Sequence, residues 1–150
     1  LNLAPARALP AEVLAAVDVL VVNEGEAAVL AGRSAEPAEI ARSLAGAHDL
    51  VCVVTLGGEG AIAVTPTGEG YRVATLPVTA VDTVGAGDAF VGVLAAALDA
   101  GMALPDALHR ASVAAGLTCT RRGAAAALPD AGEIESRASA LARPVDLGNG

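Results

Sequence analysis

Asp18-Val19-Leu20-Val21-Val22-Asn23-Glu24-Gly25-Glu26 is the stretch from which the fold can be read. One acid precedes four consecutive apolar residues, the pattern of a strand buried on both faces, as in a parallel sheet. Asn23 ends the run. Its side-chain oxygen suits a helix N-cap, Glu24 and Glu26 suit the positive end of a helix dipole, and Gly32 suits the C-cap. Strand, cap and helix in succession predict an α/β layered sheet.

Upstream, Leu1-Asn2-Leu3-Ala4-Pro5-Ala6 reads as the exit of a strand into a loop, and a short helix is expected over 11–17 behind Pro10. Downstream the pattern predicts a helix over 37–47 and a buried strand over 50–55. A turn at Gly57, Gly58 and Gly60 leads to strands over 61–65 and 71–76, joined at Thr67-Gly68-Glu69-Gly70 and antiparallel at one edge. A tight loop over 82–87 opens a long helix over 86–100. Helices over 104–120 and 133–141 follow, with a loop over 122–129 between them. The strand over 18–23 is expected to pair on both sides. Ligand sites in such sheets lie at the carboxyl ends of the strands.

The composition narrows the function. The 150 residues suffice for one domain with one core. Nine Arg and no Lys oppose 17 Asp and Glu, a net charge of −8 that disfavours nucleic acid as a partner. One Tyr, one Phe and no Trp leave no platform for stacking bases. The longest apolar run, 89–98, is too short to span a bilayer, so no membrane segment is expected. No charged-then-apolar leader is recognisable. Cys52 and Cys119 form no CxxC, and with only His48 and His109 beside them a structural zinc site or disulfide framework is not expected; a reducing cytoplasm fits. Both cysteines read as small core residues and both histidines as solvated ones. No GxxxxGK[ST] segment and no hydrolase elbow is present.

The chemistry centres on Asp82-Thr83-Val84-Gly85-Ala86-Gly87-Asp88. Gly85 and Gly87 allow a turn most residues cannot make, and the turn runs straight into an apolar helix. The N–H groups from Gly85 to Asp88 are expected to point outward together, as an anion hole. An acid beside such a hole makes sense as a base that takes a proton from a hydroxyl attacking the anion, which describes phosphoryl transfer. Asp88 also reads as a first-turn helix acid and the glycines as a plain turn.

Extended to Phe90, this segment resembles the DTxGAGDxF signature of the ribokinase-like (PfkB) carbohydrate kinases. Asn23-Glu24-Gly25-Glu26 is similar to the family's NxxE motif, and Thr55-Leu56-Gly57-Gly58-Glu59-Gly60 to its TLGxxG segment. Asn2-Leu3-Ala4-Pro5-Ala6 resembles an NPAPA stretch, with Leu3 in place of a proline. Thr120-Arg121-Arg122-Gly123-Ala124 resembles a TRxGA stretch. The resemblance covers nearly the whole chain but only the C-terminal half of the family's fold, a three-layer α/β/α sandwich. It implies that the N-terminal sugar-binding and lid half is absent, that one neighbour of the strand over 18–23 comes from that half, and that the isolated chain is inactive.

By position, the resemblance makes Asp88 the general base toward a sugar hydroxyl, and the N–H groups of Gly85, Ala86 and Gly87 the holders of the transferring phosphoryl. Asn23 and Glu26 would order Mg²⁺ and phosphates, although the same pair matches a capping box. Thr55, Leu56, Gly57, Gly58, Glu59 and Gly60 would line ATP, although TLGGEG is also a β-turn between strands. The adenine would lie between this segment and the helix around Ser112. Carbonyls of Asp82, Val84, Thr118, Arg121 and Gly123, with a contribution near Ala127, would hold K⁺. Here Ala125-Ala126-Ala127 replaces a glutamine and a small polar residue, which removes side-chain ligands and leaves main-chain ones. Arg121 and Arg122 also suit a helix C-terminus. The implied reaction is ATP-dependent phosphorylation of a sugar's primary hydroxyl, ribose first, in a homodimeric full-length enzyme. The alternatives are a related kinase for fructose, a sugar acid or a nucleoside, and a non-catalytic truncated chain.

Overall fold

The structure, a computed structural model, describes residues 1–5, 7 and 9–148. Ala6, which ends the opening stretch quoted above, lies outside the described residues. The chain forms two units, Leu1–Arg72 with Val145–Gly150, and Val73–Pro144.

The first unit contains β1 (Val19–Asn23) and β2 (Val51–Thr55), which pair in parallel from Val19 opposite Val51 to Asn23 opposite Thr55. Between them in sequence come α2 (Glu24–Ala31) and α3 (Pro37–His48), preceded by the one-turn α1 (Ala11–Leu14). β3 (Ala61–Val64) returns antiparallel to β2, and β4 (Gly70–Val73) and β5 (Val145–Asp146) complete a mixed sheet of order β1-β2-β3-β4-β5. The central residues of β1 and β2 are buried, as their unbroken apolar runs require. Leu20, Val22, Cys52, Val54, Ile62 and Val64 form a core with Ile40 and Leu44 of α3. Burial pushes the Cys52 thiol up to about 12, which makes it a packing group.

Several expectations need correction. The second neighbour of β1 is the chain's own opening: Val21 N–H donates to the Leu1 carbonyl at 2.8 Å, and Leu3 N–H to the Val21 carbonyl at 3.1 Å. The strand expected over 71–76 stops at Val73, because the next carbonyl, that of Ala74, accepts from the Ser112 hydroxyl instead of a strand. The two-residue β5 was not foreseen, since two residues carry no periodicity.

The second unit holds α4 (Ala86–Asp99), α5 (Leu104–Thr118) and α6 (Ala131–Arg137). The final helix is shorter than the expected 133–141, because Ala138–Ala140 tightens into a 3₁₀ turn. A second such turn, Ala125–Ala127, lies inside the expected loop. His109 is buried, not solvated: its Nε2 lies 2.9 Å from the Leu141 carbonyl. Cys119 is half-buried rather than a core residue. Among the described residues no helix is long and apolar enough to cross a membrane.

Gly116 sets how closely α5 is approached. A Cβ there would lie 2.6 Å from Leu76 Cβ, an atom near the backbone that cannot swing aside. Gly116→Ala gains up to about 1 kcal/mol of helix propensity and loses about 1–3 kcal/mol to overpacking. The expected outcome is a net loss of stability, read as a lower urea midpoint with unchanged slope. A raised midpoint would show that the approach of Leu76 does not constrain α5.

Candidate active site

In the first unit, parallel register brings two of the motifs together. Asn23 ends β1 directly opposite Thr55 at the end of β2, at the carboxyl edge where parallel sheets bind ligands. Asn23 caps α2. Its Oδ1 accepts from Glu26 N–H at 2.9 Å, and Glu26 Oε2 accepts from Asn23 N–H at 2.8 Å. This reciprocal capping box keeps the Glu26 side chain buried and fixed. It occupies one side-chain oxygen of each residue. Thr55 Oγ1 donates to the Val22 carbonyl at 3.4 Å. Beyond it, Gly57–Glu59 forms a 3₁₀ turn closed by Leu56 N–H on the Gly60 carbonyl at 2.8 Å. Gly60 sits at φ 97° and ψ −132°, a region open essentially to glycine alone. Glu59 pairs with Arg72 at 3.2 Å across exposed surface. A cleft of about 660 Å³ in this unit is lined by Glu24, Gly25, Leu56, Glu59 and Arg72 among others.

In the second unit, Gly85 is the N-cap of α4 at φ 84°. A Cβ at Gly85 would stand 3.1 Å from Ala124 Cα, so both the backbone angle and the close approach require glycine. Gly87 differs from expectation. It does not have a positive φ, and open space faces the position where a Cβ would be. The turn therefore depends on Gly85, and Gly87 leaves room in front of the helix. Ala86 also departs from the expected row of donors, since its N–H is bonded to the Thr83 carbonyl at 3.3 Å. The N–H groups of Gly85, Gly87 and Asp88 have no acceptor among the described residues, and no side chain caps α4. Asp88 lies exposed in the first turn. The α4 start thus offers outward donors with a carboxylate beside them.

The same unit joins this loop to the 119–124 segment. Val81 and Asp82 N–H groups both donate to the Cys119 carbonyl, at 2.7 and 3.2 Å. Asp82 Oδ1 accepts from Val84 N–H at 3.0 Å and Oδ2 from Gly123 N–H at 3.1 Å. Those two N–H groups, Val84 first and then Gly123, with a smaller contribution from Thr83 N–H, hold the Asp82 carboxyl below its ordinary value. The Cys119 thiol is raised by burial and then by the nearby Asp82 charge. Sequence reasoning assigned Asp82 only a carbonyl role and missed its side chain. The signal available was an Asp two residues before Val84, the spacing of an Asx turn.

The remaining expected residues are placed as follows. Thr118 is fully buried, its hydroxyl on the Ala114 carbonyl at 3.0 Å and its own carbonyl accepting from Arg121 N–H at 3.2 Å. The Arg121 guanidinium engages both carboxylate oxygens of Glu133, which raises the arginine and lowers the glutamate. Ala127 is buried, with its N–H on the Ala124 carbonyl at 3.2 Å. Ser112 is buried too, and its hydroxyl donates to the Ala74 carbonyl at 2.5 Å. That hydroxyl is already used within the second unit, so it is not the free ligand group the sequence suggested.

The family model for the pfkB family carbohydrate kinases matches residues 2–131. The chain belongs to the pfkB family of carbohydrate kinases. It is 34% identical over 142 residues to a ribokinase of Schizosaccharomyces pombe, covering 90% of this chain and 45% of the relative. Among solved structures, a ribokinase of Thermotoga maritima superposes with a TM-score of 0.85 at 30% identity, covering 92% of this chain and 48% of that one. An Arabidopsis thaliana ribokinase complexed with ribose and ATP superposes with a TM-score of 0.80 at 28% identity, covering 88% and 44%. The fold is therefore the ribokinase-like α/β fold. The chain spans about half the length of the relatives it matches.

The two glycines of this pfkB motif separate by experiment. Gly85→Ala should lose about 1–3 kcal/mol, from a left-handed non-glycine residue and contact with Ala124. Gly87→Ala should be neutral or gain up to about 1 kcal/mol through helix propensity. Denaturant midpoints of the two variants check this. Equal losses at both positions would contradict the different backbone roles.

Proposed function

We propose that this chain carries the ATP-handling and base-bearing part of a sugar kinase that phosphorylates a primary hydroxyl, ribose to ribose 5-phosphate first among candidates. The observation that carries the proposal is the open start of α4, with outward N–H groups and Asp88 in its first turn, in a chain of the pfkB family. The ribokinases among its relatives support ribose.

Asp88 would accept the hydroxyl proton as the sugar oxygen attacks the terminal phosphorus, and the bond to the leaving ADP oxygen breaks. The N–H groups of Gly85, Gly87 and Asp88 would face the outer oxygens of the transferring phosphoryl, where fixed donors help most because charge is greatest there. Ala86 would contribute through the turn rather than as a donor. Thr55, Leu56, Gly57, Gly58, Glu59 and Gly60 would line the nucleotide by their backbone.

A hard divalent ion that keeps several waters would suit Glu26 Oε1, which the capping box leaves over, and the second lone pair of Asn23 Oδ1, the one side-chain oxygen of that residue, would accept from a water of the ion. Neutral main-chain oxygens of Asp82, Val84, Thr118, Arg121, Gly123 and Ala127 suit K⁺. When bound, Mg²⁺ neutralises phosphate charge and K⁺ adds positive field beside the anion hole. The absent sugar-side half would come from residues outside these 150, as the half-length match to relatives suggests. A homodimer in the cytoplasm is part of the same reading; the free thiols of Cys52 and Cys119 support a reducing compartment.

The test uses the longest reading frame containing Leu1–Gly150, assayed for ribose-dependent ADP release with Mg²⁺ and K⁺. Asp88→Asn should lower kcat about 10²–10⁴-fold with nucleotide affinity little changed. A near-normal kcat would overturn the base assignment. The 150-residue chain assayed alone should release no ADP in response to ribose, because orientation of the hydroxyl supplies roughly 7–11 kcal/mol of barrier lowering. Turnover close to that of the long protein would overturn the half-enzyme reading.

A further inference from the structure

We propose that the Asp82 side chain is the positioning residue of the phosphoryl site, a clamp that sets the Gly85–Asp88 turn against the 119–124 segment. The proposal rests on the kinase reading above and adds to it a side-chain role that the carbonyl assignment does not contain.

The geometry is specific. One carboxylate oxygen takes the N–H two residues ahead, at Val84, 3.0 Å away. The other takes the N–H of Gly123, 41 residues ahead, at 3.1 Å. The backbone repeats the link, since Val81 and Asp82 N–H groups share the Cys119 carbonyl. One residue beyond Val84, Gly85 lies so close to Ala124 that a Cβ there would sit 3.1 Å from its Cα. The turn that carries the free donors is therefore tied to the 119–124 segment by Asp82 and lies in close approach to the same segment at Ala124.

The choice of Asp over Asn follows from hydrogen-bond bookkeeping. Both partners are N–H donors, so the clamp needs two acceptors. A carboxylate has two oxygens, whereas an amide would set its own NH₂ against one of the N–H groups. The carboxylate's charge also faces two backbone dipoles, an arrangement in which bonds to a charged acceptor are stronger than neutral ones. Asp82 touches no reacting atom in this account. It acts by fixing where the donors point, and a misplacement of about 1 Å in such a site can cost about 10²-fold in rate.

The long protein would be compared with its Asp82→Ala and Asp82→Asn variants. Asp82→Ala is expected to lower kcat about 10²-fold while KM for ATP changes little, because donors aimed at developing charge matter most in the transition state. Asp82→Asn, which retains one acceptor, should show a smaller loss of the same kind. A wild-type kcat in either folded variant overturns the proposal, as does a loss confined to KM.

Amide hydrogen exchange in the unmodified protein tests the clamp even where the variants do not fold. Val84 and Gly123 amides should exchange more slowly than those of Gly85 and Gly87. Equally fast exchange at all four overturns the clamp. Absence of sugar-dependent turnover in the unmodified protein would instead overturn the kinase reading, and the exchange pattern would still decide the clamp.

Discussion

A helix start leaves amide N–H groups without intrahelical acceptors, and the other long helices of this chain deal with that deficit within their own sequence. α2 closes its start with the reciprocal Asn23–Glu26 box, and the shorter α6 does the same with Asp130 and Glu133. α3 and α5 carry proline in the first two positions, which removes a donor that would otherwise go unpaired. α4 does neither. It begins at a left-handed glycine with no side-chain cap, and forgoes a contribution that a good capping residue supplies at about 1 kcal/mol. Among these longer helices the one with neither a capping side chain nor an early proline falls within the motif that marks the family.

What could be read from the sequence was what is local. The run 18–22 declared a buried strand, because its apolar residues need no partner to be recognised. The spacing of Asn23 and Glu26 declared a cap, because both bonds close within three residues. The positions of β1, α3, β2 and α5 followed, with ends displaced by one or two residues. The sheet end shared by Asn23 and Thr55 was also within reach, since two buried strands joined by helices run parallel and finish on the same edge.

What escaped the sequence was set by contacts between distant residues. Nothing around His109 announces that the Leu141 carbonyl lies 2.9 Å from its ring. Nothing around Ser112 shows that Ala74 will accept its hydroxyl. The opening residues read as a strand leaving toward a loop, yet only the fold shows that they complete the hydrogen bonding of Val21. The glycines of Gly85-Ala86-Gly87 look equivalent on paper. One is needed for its backbone angle and the other for the space beside it, a distinction that depends on Ala124, dozens of residues away.

An acid at an open helix start carries an internal conflict that clarifies the site. The positive end of α4 favours the Asp88 carboxylate, and it equally favours an incoming phosphate. The two negative groups repel each other when both are present. Were anion binding the sole role of this turn, a neutral residue in place of Asp88 would serve it better. A carboxylate earns its place only if repulsion is relieved during the event the site promotes. On the proposed reading, transfer of a proton to Asp88 would do this: the base would lose its charge as the attacking oxygen bonds to phosphorus, and the free donors of Gly85 and Gly87 would face the phosphoryl oxygens. The open cap and the exposed acid would then be parts of one arrangement, each costly by itself and consistent together.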